Sequence, residues 1–255
     1  MARSFNPRLF GAFGAALVVL MLLNPPKTLS AAAATLGHHG AAEITLPLEQ
    51  CGNVVFVKVR VNGSGPLDFV LDSGAGQDGL DIGVAKQLNL NLEGQALGTG
   101  AGQGTYQVRF IKNVTIGLST KSIRANRTVR YTDDQMPAVD FSGLEAILGR
   151  KVDGLLGYDL FKRFVVQIDY DQQLVRLFDP DDFVAGGGVV LPVHIWDGTP
   201  SVHASLTLVS GKRVEGSFMI DTGSQDSVDC LAVDQAPDRL DIVGGVGLGR
   251  ETKGS

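Results

Sequence analysis

The sequence predicts a mainly β protein made of two related lobes, the first complete and the second partial. Three observations predict it. Glycine is abundant, 33 of 255 residues, while aromatic residues make up only 7%, a balance that suits turn-rich sheets better than a helical bundle. Short runs of β-branched and aromatic residues recur between clusters of Gly, Asn and Asp. The landmark Phe69-Val70-Leu71-Asp72-Ser73-Gly74, an apolar run ending on a carboxylate, a hydroxyl and a glycine, returns as Phe218-Met219-Ile220-Asp221-Thr222-Gly223.

Taken in order, residues 1–34 read as a secretory signal peptide. Arg3 and Arg8 precede an apolar run from Leu9 to Leu23, and Pro25-Pro26 and the small residues Ser30 to Ala34 follow, with cleavage expected near Ala32 to Ala34. The competing reading is a permanent anchor, but the run is shorter than the roughly 20 residues a spanning helix requires. Residues 35–43 are expected to form a flexible mature N-terminus, leaving an exported, periplasmic or secreted protein with no stable membrane anchor. Export permits a disulfide, and pairing of Cys51 with Cys230 stays open beside two independent thiols.

The first lobe is assigned to residues 44–182. Ile44–Glu49, Val54–Val61 and Pro66–Leu71 read as strands, the last two joined by the turn signal Asn62-Gly63-Ser64-Gly65. Gly83–Leu90 reads as a short helix. The glycine-rich stretch Gly94–Gly104 lacks both the Gly-x-Gly-x-x-Gly and the Gly-Lys-Ser/Thr spacing of phosphate-binding loops, so it is expected to be a mobile hairpin tip. Strand-like segments follow at Tyr106–Phe110 and Val114–Leu118. After Asp153-Gly154-Leu155-Leu156-Gly157 comes a short amphipathic stretch, Tyr158–Arg163. A hairpin of Phe164–Ile168 and Leu174–Phe178 then turns through Asp169–Gln173.

Residues 183–188, ending in three glycines, read as a linker, and 189–255 as the partial second lobe. Asp221 lies 149 residues after Asp72, and Val246-Gly247-Leu248-Gly249 the same distance after Leu97-Gly98-Thr99-Gly100. Leu191-Pro192-Val193 lies 145 residues after Leu46-Pro47-Leu48. Three landmarks in one order at a nearly constant offset argue for duplication. By this repeat the second lobe would need roughly 75 further residues to match the first, unless it is a degenerate copy.

A formal net charge of −5 and a pI near 5.3 give no basic footprint for nucleic acid. No metal is expected. His38 and His39 lie in the mature N-terminus, His194 and His203 alternate with apolar residues as strand faces do, and no Cys or carboxylate lies at ligand spacing.

Asp72-Ser73-Gly74, Asp221-Thr222-Gly223 and the Asp-Gly-Leu-Leu-Gly of Asp153 to Gly157 together resemble the aspartic proteases, of the retropepsin-like and pepsin-like group. The resemblance covers about Ile44 to Gly249. It implies that Asp72 and Asp221 meet as a catalytic dyad needing no cofactor, that Ser73 and Thr222 orient them, and that Gly74 and Gly223 let the two loops approach. It also implies that Leu155, Leu156 and Gly157 thread behind the first loop, and that a flap made of Gly98, Thr99, Gly100, Ala101 and Gly102 closes over substrate. Neither glycine-rich hairpin has a tyrosine at its tip, as pepsins have; Tyr106 is the nearest. Peptide hydrolysis needs a base for water and an acid for the carbonyl oxygen, and two close carboxyls sharing one proton supply both.

The expected substrate is an extended peptide or unfolded protein with mainly apolar side chains. Two alternatives accompany endopeptidase activity. One is a catalytically silent peptide-binding module of the same fold. The other is a homodimer in which each copy contributes Asp72.

Overall fold

The computed structural model describes residues 17–19, 44–100, 105–121, 126–186, 189–208 and 211–225. Strand β1 (Leu17–Val19) comes first, then β2 (Ile44–Pro47), β3 (Glu49–Cys51), β4 (Val54–Val61), β5 (Ser64–Leu71) and β6 (Gly79–Asp81). Helix α1 (Ile82–Gln87) leads to β7 (Glu93–Thr99), β8 (Thr105–Lys121) and β9 (Asn126–Val139). Helix α2 (Ser142–Leu148), β10 (Gly154–Leu156), α3 (Tyr158–Phe161), β11 (Val165–Asp169) and β12 (Leu174–Phe178) complete the first lobe. The second lobe contributes β13 (His194–Trp196), β14 (Thr199–Thr207) and β15 (Arg213–Met219). The protein is mainly β, as its composition predicts.

An eight-stranded sheet runs β3-β4-β5-β10-β6-β9-β8-β7, and a further pairing of β4 with β8 closes six of these strands into a ring. Beneath it lies a four-stranded sheet, β1-β11-β12-β2. Phe69, Leu71, Leu156 and Ile116 from the ring pack with Phe161, Ile168 and Leu177. Val70 points the other way, into a smaller cluster with Phe56, Phe141 and Leu155. The end of β5 is therefore buried on both faces, and an apolar run without alternation is what such a strand demands.

The 17-residue β8 is one continuous strand where the sequence reading expected two segments, because Asn113 takes a left-handed φ of 54° and the chain passes through without leaving the ladder. Strand β9 and helix α2 were not anticipated. Their positions carry many charged residues and, in β9, Pro137, which hides the alternation of Val129 and Tyr131 toward the interior. Of the expected mobile hairpin tip, residues 94–99 are instead part of a strand, since Glu93–Thr99 pairs with Thr105–Phe110 in an antiparallel ladder, and residues 101–104 lie outside the described residues. Leu191-Pro192-Val193 lies outside any strand although the first two residues of its first-lobe counterpart close β2, so this landmark matches in sequence but not in conformation.

Of the proposed leader, Leu17–Val19 pairs antiparallel with β11; the rest of residues 1–34, and residues 35–43, lie outside the described residues. So do Ala101, Gly102, Cys230 and Val246 to Gly249. At the linker, the Phe183 ring packs tilted against Phe178 with centroids 5.1 Å apart, which fastens its start to the first lobe.

Candidate active site

Strand β5 delivers Asp72 and β15 delivers Asp221, and the turns after them meet where the two lobes adjoin. Position is set first by backbone. The Asp72 N–H donates to the Leu156 carbonyl at 2.9 Å, and β10 runs parallel to β5 with Leu155 opposite Val70 and Leu156 opposite Leu71. Leu155, Leu156 and Gly157 thus pass directly behind the first loop. Gly157 has no room for a side chain, since a Cβ there would stand 2.6 Å from the Ala75 carbonyl oxygen. On the other side, the Ile220 N–H donates to the Pro200 carbonyl at 2.9 Å.

The two turns are then tied to each other. The Ser73 N–H donates to Thr222 Oγ1 at 3.1 Å, and the Thr222 N–H donates to Ser73 Oγ at 3.0 Å. Each hydroxyl in turn donates across the junction, Ser73 Oγ to the Ile220 carbonyl and Thr222 Oγ1 to the Leu71 carbonyl, both at 2.7 Å. Both residues are buried, so every one of these groups has exchanged water for a partner in the opposite lobe.

The glycines work as an interlocked pair. A Cβ on Gly74 would lie 2.5 Å from Asp221 Cγ, and one on Gly223 would lie 2.6 Å from Asp72 Oδ1. Each carboxyl therefore sits in the space that the other loop's missing side chain leaves. Each also accepts from its own turn: Gly74 N–H and Ala75 N–H donate to Asp72 Oδ1 at 2.9 and 3.0 Å, and Gly223 N–H donates to Asp221 Oδ1 at 2.8 Å.

So placed, the two carboxyls adjoin, each against the other loop's glycine. Burial, followed by the neighbouring charge of Asp221 and the bond to it, pushes the Asp72 carboxyl up to about 8, and the backbone donors offset only part of this. Two adjoining carboxyls of this kind can share one proton, so that one group accepts a proton while the other donates one.

A second symmetry was not visible in the sequence. The turn between β3 and β4 reaches the second lobe, where Asn53 Nδ2 donates to the Gln225 carbonyl at 3.0 Å. The turn between β13 and β14 reaches the first lobe, where a Cβ on Gly76 would meet the Asp197 carbonyl oxygen at 2.8 Å. Gly76 and Gln225 are again 149 residues apart, so each lobe's opening hairpin braces the other lobe's acidic loop.

Sequence reasoning also missed Asp78. It is fully buried, accepts from the Gly157 N–H at 2.7 Å and from the Tyr131 hydroxyl, and its own N–H donates to Asp159 Oδ2 at 3.0 Å. Asp159 is in turn paired with Lys162 at 2.5 Å. Burial pushes Asp78 up to about 7, although both of its donors pull it down. Asp78 therefore ties the loop after Asp72 to the segment threaded behind it. Its only sequence signal is its place six residues beyond Asp72.

Of the flap candidates, Gly98 and Thr99 close the β7 ladder against Tyr106 and Thr105, and Gly100 follows them. The Tyr106 ring lies over Gly98, where a Cβ would meet Cε2 at 2.5 Å. Its hydroxyl donates to the Thr99 carbonyl at 3.3 Å.

The family model described as aspartyl protease matches residues 57–160, from within β4 to within α3, taking in Asp72, Asp78 and Gly157 and ending before Asp221. No curated protein matches the chain. The mainly β fold and the matched segment are consistent with an aspartic-protease type of protein. The matched segment supports an aspartic protease family and a protease-type function.

Proposed function

We propose that this protein is an exported aspartic endopeptidase whose dyad is Asp72 and Asp221. The observation that carries the proposal is the interlocking of the two carboxyls, each seated in the space left by the other loop's glycine. The dyad with one shared proton acts on a water held between the two carboxyls. The ionised carboxyl takes a proton from that water as its oxygen attacks the peptide carbonyl, and the protonated carboxyl gives its proton to the carbonyl oxygen. Collapse of the resulting diol, with a proton passed to the amide nitrogen, breaks the C–N bond and returns the shared proton to the pair. Ser73 and Thr222 are positioning residues that keep the two carboxyls aligned.

The substrate is an extended peptide from an unfolded protein. Strand β7 supports this, because it ends the order of its sheet and so presents a free edge to which such a peptide can add as a strand. Asp221 of the same chain stands where a second copy's Asp72 would have to stand, so the reaction needs one chain only. Export rests on the charged, apolar and small-residue succession of residues 1–34.

The test is cleavage of an unfolded protein between about pH 3 and 9 by the wild type and by the Asp72→Asn and Asp221→Asn variants. Each variant is expected to lose about 10²- to 10⁴-fold in kcat. Activity surviving both changes removes the enzyme reading.

A further inference from the structure

The turn joining β4 and β5 lies at the opposite end of β5 from Asp72, about 25 Å away at ~3.3 Å per residue. Beside it the outer face of the ring holds a cavity of about 120 Å³. Its walls are two arginines. Register pairs Arg60 of β4 with Gly117 of β8, and Gly117 with Arg130 of β9, so the three form one row across three strands. Residues paired in register share a face, and adjacent strands are about 4.8 Å apart, so the two arginine backbones stand about 10 Å apart over a floor of bare glycine. In the neighbouring rows Thr115, Ser119 and Thr128 bring hydroxyls to the same cavity.

The site is set in place before any ligand arrives. Arg60 Nη1 donates to the carbonyls of Gly63 and Gly65 at 3.3 and 3.0 Å, which fixes the guanidinium against the turn. The turn is fixed to β8 by Asn62, whose N–H donates to the Thr115 carbonyl at 2.9 Å and whose Oδ1 accepts the Thr115 N–H at 2.8 Å. Binding there would cost little side-chain ordering at Arg60.

The charges are unbalanced as well as fixed. Arg150, Arg163, Arg176 and Arg213 each face a carboxylate. Arg60 and Arg130 form no ion pair among the described residues, and no carboxylate lines the cavity. In a protein of net charge −5, two guanidiniums facing one gap without a counter-charge repel each other, and a bound anion would remove that repulsion. A volume near 120 Å³ accommodates one tetrahedral oxyanion between the two guanidiniums. The planar guanidinium fork matches phosphate oxygens in pairs, and the hydroxyls supply further donors.

We propose that this cavity binds a phosphate group, either as inorganic phosphate or as a small phosphate monoester. Calorimetric titration of the intact protein with inorganic phosphate, and separately with glycerol 3-phosphate, tests it. Saturable binding at one site per chain by inorganic phosphate alone assigns the free ion, and binding by both admits the monoester. Arg60→Gln and Arg130→Gln should each weaken binding about tenfold or more, with circular dichroism showing the fold intact. Gly117→Ala narrows the floor without a clash, its Cβ lying 3.6 Å from Arg60 Cβ and 4.0 Å from Arg130 Cγ, and should weaken binding several-fold. Lys112→Gln, which alters a β8 cation outside the cavity, should leave affinity unchanged. Absence of saturable heat up to about 10 mM phosphate, or affinity indifferent to both arginine changes, overturns the proposal.

Discussion

Ser73 and Thr222 hold each other by reciprocal bonds across the junction of the lobes, each backbone N–H donating to the other's hydroxyl and each hydroxyl donating to the carbonyl before the other lobe's Asp. This cross-link sets the separation of the carboxyls, so a change in it should be felt in both stability and rate. Thr222→Val keeps the shape and removes the hydroxyl, leaving the Ser73 N–H and the Leu71 carbonyl unpaired. Urea denaturation should show a loss of about 1–3 kcal/mol, with a lower kcat, while Thr222→Ser should retain most of both.

Gly223→Ala places a methyl 2.6 Å from Asp72 Oδ1, closer than carbon and oxygen can stand. The loops must part to admit it. Peptide cleavage should fall by at least about 10²-fold, because a small misplacement of reacting groups is amplified in rate. Circular dichroism should show the first lobe's sheets intact, since its core lies elsewhere.

On the proposed mechanism the dyad works only while it holds its shared proton. With Asp72 pushed up to about 8, cleavage should persist from acid to neutral pH and fall as pH rises through about 8. A pH profile of kcat/KM checks this; an alkaline limb near pH 5 would mean the two carboxyls ionise independently.

Stability should also favour acid. Asp78, pushed up to about 7, binds its proton more tightly in the folded than in the unfolded chain, where its ordinary value is 3.8. Its contribution is fully present below about pH 4 and is lost as pH rises through about 7. Thermal melts should therefore show Tm declining between these limits. Asp78→Asn, which imitates the protonated acid, should flatten the decline between about pH 4 and 7.

The sequence disclosed those parts of the site that need particular residue types side by side. An apolar run followed by Asp, a hydroxyl and Gly is legible because each residue answers to a separate demand, and its return at Asp221 identifies the partner. Leu155 to Gly157 were legible for the same reason. Asp78 and Tyr131 were not, because an Asp in a turn-rich stretch and a Tyr in a polar strand look ordinary until the fold brings them together across 53 residues. The bracing of Gly76 by Asp197 and of Gln225 by Asn53 was equally hidden, since it lies in backbone atoms that every residue carries. Strand β9 escaped because its outward face is charged and its inward face is interrupted by Asp133.

The central claim is that Asp72 and Asp221 share one proton, and carboxyl-carbon NMR titration of Asp72 in the wild type and in Asp221→Asn tests it most directly. Shared ownership predicts that Asp72 titrates far above 3.8 in the wild type and that its midpoint moves clearly downward when the neighbouring acid is neutralised. A midpoint that stays where it was in the variant would contradict the claim.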